Sequence, residues 1–144
     1  MFQMINKIID GISVALNGEF GDDYEIYTES IEQGLKEPCF SIVCINPKME
    51  QFLGERYFKQ NRFCIHYFPE TDTQNHESMA VIDRLFDCLE FITIDDDLYR
   101  GTKMTVEMVD GVVSFMVSYD MFMYKHREDT PEIETYSVST DVKG

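Results

Sequence analysis

The sequence predicts an α+β fold: a mostly antiparallel four- to five-stranded sheet with two helices packed on one face. Three observations carry that expectation. Two stretches repeat their apolar residues at helical spacing, strand-like runs lie between and after them, and Asp110-Gly111 separates two runs that alternate with period two. A chain of 144 residues fits one domain that buries roughly two-thirds of its unfolded surface. Residues 1–124 are expected to form that single domain, and the polar stretch 125–144 a C-terminal arm, flexible or ordered by a partner.

In chain order, Ile5, Ile8, Ile9, Ile12 and Leu16 mark the first helix, with Asn6, Lys7, Asp10 and Ser13 opposite and a stop near Asn17-Gly18. Gly11 in its middle permits close packing. Tyr24–Thr28 is a short strand. Pro38 opens the apolar run Cys39–Ile45, which reads as a central strand ended by Asn46-Pro47. Lys48–Glu55 is expected to be a loop holding Met49, Phe52 and Leu53. Arg56–Phe68 is a long strand with a bulge or bend in its polar middle, Lys59 to Arg62. Met79, Ile82, Leu85, Phe86, Leu89 and Ile92 form one face of a second helix, and Asp95-Asp96-Asp97 turns the chain into the last hairpin.

That hairpin, Leu98–Tyr124, has a register that follows from its turn. A two-residue type I′ loop at Asp110-Gly111 pairs Val109 with Val112, Met108 with Val113, Val106 with Phe115, Met104 with Val117 and Thr102 with Tyr119. Its wetter face takes Glu107/Ser114, Thr105/Met116 and Lys103/Ser118. Phe122 and Tyr124 fall on that otherwise polar face at the strand end, which points to contact with another subunit.

Apolar residues make up 44% of the chain and aromatics 13%, enough for a substantial core. The net charge of −15 opposes binding to nucleic-acid backbones and to anionic membrane surfaces. No apolar run is long enough to span a bilayer, and Asp10 within the N-terminal apolar stretch argues against a signal peptide. Cys39, Cys44, Cys64 and Cys88 lack CxxC spacing and sit in apolar segments, so they are expected to be reduced and structural, inside a cell.

The search for chemistry gives only near-misses. His76-Glu77 starts like HExxH, yet residue 80 is Ala. Gly11-Ile12-Ser13-Val14-Ala15 lies inside a predicted helix, where a nucleophile elbow needs a strand-to-helix turn. Asp95-Asp96-Asp97 lacks the Gly and Glu that complete an EF-hand loop, since Arg100 and Val106 stand there. His66, between Ile65 and Tyr67, reads as a hydrogen-bonded sheet histidine. The residues therefore indicate no catalytic centre, cofactor or metal site.

Several segments in order resemble a known family. They are Ile5–Ile12, Tyr24–Glu29, Gln33–Phe40, Phe63–Pro69, Leu98–Met104 and Tyr119–Phe122. Together they are similar to tail terminator (tail completion) proteins of phages and prophages of Gram-positive bacteria. The resemblance implies a structural role without catalytic residues: a ring of identical copies, usually six in this family, that caps the tail tube, stops its polymerisation and meets the head–tail connector. It implies as partners the chain itself, the tube protein and the connector protein. The implied locations are the virion tail or neck and, during assembly, the host cytoplasm. Six copies at −15 each would give DNA an acidic bore that repels phosphates where those side chains face it, and the alternative is that the acidity serves solubility alone. Ring closure needs heterologous contacts, for which Met49, Phe52 and Leu53 and the strip Phe122/Tyr124 are the candidate surfaces. A head–tail joining protein shares this size, acidity and ring habit. A small hydrolase or ligand-binding domain is the alternative from a different class.

Overall fold

The computed structural model describes residues 4–28, 36–70 and 75–124. Its elements are α1 (Met4–Phe20), β1 (Glu25–Tyr27), β2 (Cys39–Leu53), β3 (Arg56–Phe68) and α2 (Asn75–Cys88). They are followed by β4 (Phe91–Ile94), β5 (Asp97–Arg100), β6 (Thr102–Val109), β7 (Val112–Ser118) and β8 (Met121–Tyr124). The class is α+β, as expected. The main sheet has six strands, however, in the order β1-β2-β3-β7-β6 with β8 on β3, and β4-β5 form a separate pair. It is a mixed sheet, because β1 runs parallel to β2. The chain divides into two compact units: the described residues of Met1–Asn46 with Asn61–Tyr119, and those of Pro47–Gln60 with the residues from Asp120 onward. The arm expected at 125–144 lies outside the described residues.

In the first unit, strand alternation builds the core. Phe63, Ile65 and Tyr67 of β3 stand opposite Val117, Phe115 and Val113 of β7, and all six are fully buried. Both helices cover this one face. Phe20 of α1 packs on Phe40 at 4.9 Å between ring centroids, and Phe40 on Tyr67 at 5.1 Å. From α2, Phe86 meets Phe115 edge-on at 5.1 Å, and Glu77 accepts a hydrogen bond from the Tyr67 hydroxyl at 3.1 Å. Ile8, Ile12 and Leu16 of α1 and Leu85 of α2 are fully buried, so truncating any one to Ala costs about 2–5 kcal/mol.

α1 runs two residues past Gly18 and ends where Gly21, at φ +87, donates its N–H to the Asn17 carbonyl at 2.9 Å. Arg84 of α2 secures that end: its Nη2 donates to the Glu19 carbonyl at 2.7 Å, and its guanidinium lies 4.2 Å above the Phe20 ring. Gly11 is buried against β4. A Cβ there would lie 3.1 Å from the Thr93 carbonyl oxygen, so the glycine is what lets helix and strand approach.

Four expectations need correction. The second helix stops at Cys88, and Ile92 belongs to β4, whose Ile92 and Ile94 are buried while Phe91 and Thr93 are exposed. Asp95 and Asp96 have φ of +52 and +70, the signature of a type I′ turn, and join β4 to β5 without a glycine. Leu98 therefore pairs with Thr93 in this small sheet and is not part of the final hairpin. Asn46-Pro47 does not end β2, and Lys48–Leu53 is strand, not loop. β1 bonds only Cys39–Ser41 of β2, so Pro47 gives up no ladder bond on that side.

The hairpin register holds from Val109/Val112 to Thr105/Met116, then slips. Lys103, at φ +54, inserts one extra residue into β6. Thr102 consequently faces Ser118, where the turn alone placed Lys103, and not Tyr119. β7 ends at Ser118, and Met121–Tyr124 is a separate strand paired with β3.

Candidate functional site

In the second unit the polar run Lys48–Gln51 carries β2 outward to Gly54, whose φ of +54 turns the chain back into β3. Gln51 Nε2 donates to the Gly54 carbonyl at 2.7 Å and fastens that turn. β8 then pairs antiparallel with β3, setting Arg56 opposite Tyr124, Tyr57 opposite Met123 and Phe58 opposite Phe122. Residues opposite one another share a face. The Phe58 and Phe122 rings lie 4.9 Å apart, and Phe52 of β2 meets Phe122 at 5.8 Å in an edge-on contact. Arg56 Nη2 donates to the Tyr124 hydroxyl at 2.9 Å, with its guanidinium 5.5 Å from that ring.

The result is an aromatic strip that its own unit leaves uncovered. Phe52 is 58% exposed, Phe122 61% and Tyr124 63%. The structure thus joins Phe52, Phe122 and Tyr124, which belong to two separate candidate patches in the sequence. Met49 and Leu53 are also exposed, but strand alternation turns them to the face opposite Phe52. Phe58 and Arg56 are the members that sequence reading missed. Once Met121–Tyr124 is read as a strand on β3, the pairing of Phe58 with Phe122 reveals both.

The remaining candidates have ordinary structural roles. On the helix-free face of the sheet, Ser114 Oγ lies 3.2 Å from His66 Nδ1, and Cys64 Sγ lies 3.6 Å from His66 Nε2. Burial lowers the His66 pKa and raises that of Cys64, with Ser114 and Arg62 pulling Cys64 the other way. Both shifts favour neutral partners, the reverse of what a thiolate–imidazolium nucleophile requires. Burial also pushes the Cys39 thiol up to about 11 and the Cys88 thiol up to about 12. Asp95 is held by Lys7 Nζ at 2.7 Å. Among the described residues, no group of three or more His, Cys, Asp or Glu side chains is placed to hold a metal ion. Likewise, no helix among them is long and apolar enough to cross a membrane.

An α+β chain whose distinctive surface is an exposed aromatic strip on paired strands has the make-up of a structural protein that works through contacts with other proteins. The chain belongs to the phage tail terminator family: the family model described as "Phage tail terminator protein" matches residues 7–131. No curated protein matches the chain. Family membership gives it a structural role in the phage tail.

Proposed function

We propose that the protein caps the head-proximal end of a phage tail tube as a ring of identical copies, six in number, and there stops polymerisation of the tube protein. The opposite side of the ring receives the head–tail connector. The protein acts in the neck of the virion after assembly in the cytoplasm of a Gram-positive host, and it makes and breaks no covalent bond. Contacts between subunits or with partners run through Phe52, Phe122 and Tyr124 on one face of the paired strands and through Met49 and Leu53 on the other.

One observation carries this reading in a chain of the terminator family: the Phe52/Phe58/Phe122 strip is packed within its unit yet left open to solvent. Exposed aromatic rings held rigid by strand pairing lose little entropy when a partner covers them. The deciding experiment is electron microscopy of tails assembled with and without this protein. Tails of uncontrolled length in its absence are expected. Tails of normal length that fail to join heads would instead identify a joining protein and overturn the terminator reading.

A further inference from the structure

We infer that Phe52 and Phe122 of one copy seat in a groove between α1 and β4 of the next copy, forming the head-to-tail contact of the ring. This rests on the ring reading above. A closed ring needs two different surfaces on each chain, since a patch that meets its own copy makes only a two-fold pair. Phe52 and Phe122 touch at 5.8 Å and so supply one surface, not two. The second has to be a different surface.

The first unit offers it. Gly11, Val14, Ala15 and Gly18 of α1, with Cys88 and Phe91, line an open groove of about 300 Å³. That is the lower bound of roughly 300 Å³ for small-molecule pockets, a size suited to one or two side chains. Small residues at positions 15 and 18 leave the helix backbone thinly covered, and a Cβ built on Gly18 meets nothing within 4 Å. Val14 and Phe91, 71% and 48% exposed, form apolar flanks. The lining has a single carboxylate, Glu19, already held by Arg84 Nε at 2.8 Å. Seating an apolar side chain there strands no unpaired charge.

Charge selects a second copy as the occupant. The described residues of the first unit carry six basic and sixteen acidic side chains. Those of the second unit balance Lys48, Arg56 and Lys59 against Glu50, Glu55 and Asp120. Two acidic first units repel one another, whereas the described part of the second unit, neutral and cation-bearing, approaches an acidic first unit at far less cost. Asp10 and Asp87, both exposed, adjoin the groove lining in sequence and offer partners for those cations.

The test uses full-length chains and native mass spectrometry. Gly18→Phe fills the groove, Val14→Glu charges its flank, and Phe122→Asp spoils the aromatic strip. Circular dichroism melts confirm that each variant folds. Each variant alone is expected to be monomeric where the wild type assembles. Mixing either groove variant with Phe122→Asp is expected to restore a one-to-one dimer, because that pair retains one intact contact. A mixture that stays monomeric overturns the head-to-tail pairing. Groove variants that assemble like the wild type, while Phe122→Asp does not, overturn the groove and leave the ring reading standing. A wild type still monomeric at about 1 mM, where only contacts weaker than about 4 kcal/mol escape detection, overturns both.

Discussion

Asn61 and Tyr119 hold each other through two hydrogen bonds. The Tyr119 N–H donates to the Asn61 carbonyl at 2.9 Å, and Asn61 Nδ2 donates to the Tyr119 carbonyl at 3.0 Å. Both residues are fully buried. Their pairing lies just past the last rung of β7 on β3, at Arg62/Ser118, and before the first rung of β8, at Lys59/Met121. The polar middle of β3 is therefore the place where it exchanges one neighbour for another. Asn61→Ala leaves a buried carbonyl without its donor and is expected to cost about 2 kcal/mol, read from the urea midpoint. Tyr119→Phe removes the hydroxyl that donates to the Leu89 carbonyl at 2.6 Å and is expected to cost about 1–2 kcal/mol.

Two glycines respond to the same substitution with opposite signs. A Cβ at Gly101 would fall 2.6 Å from the Leu89 carbonyl oxygen and 2.8 Å from Val117 Cγ2. Gly101→Ala is expected to destabilise by about 1–3 kcal/mol through overpacking. Gly18→Ala, in an exposed turn of α1 with open space around it, is expected to stabilise by about 0.5–1 kcal/mol through helix propensity and reduced unfolded-state freedom. Thermal melts of the two variants should move in opposite directions.

Phe52→Asp and Phe122→Asp place a carboxylate on residues that are 58% and 61% exposed. Each is expected to leave far-UV circular dichroism unchanged while lowering the mass seen by light scattering under assembling conditions. Unchanged mass in both variants would remove these residues from the contact surface.

His66 gives the fold a dependence on acidity. Burial holds its pKa below the ordinary value of about 6.5, so the unfolded chain takes up a proton before the folded one does. Its contribution to stability is complete above about pH 6.5 and is lost as pH falls through the lower, folded value. Urea midpoints should decline as pH falls below about 6.5, and His66→Gln should show a shallower decline.

The parts of the fold that the letters disclose are those where local chemistry and tertiary pairing agree. Asp110-Gly111 imposes a turn with φ of +52 and +80, and five rungs of the hairpin follow from it. The slip at Lys103 is hidden because a lysine gives no sign of a left-handed backbone. β4 hides for a different reason: Leu89 and Ile92 continue the helical period of α2, although the chain has already left the helix at Cys88. The strand through Pro47 is masked by a residue that ordinarily breaks strands, and it survives there because β1 is so short. At the candidate contact surface, exposure of Phe122 and Tyr124 is legible from their parity. Their union with Phe52 is not, since it depends on β2 and β8 meeting across β3.

The irregularity at Lys103 has a consequence for the edge of the sheet. β6 is the outermost strand of the sheet, eight residues long, and its far side has no neighbour among the described elements. A flat border of that length is a template for runaway stacking of one molecule on another. The extra residue at Lys103 kinks the border, and the Lys103 and Glu107 charges make an added strand costly. The molecule thereby carries, along its own margin, a safeguard against starting such a stack.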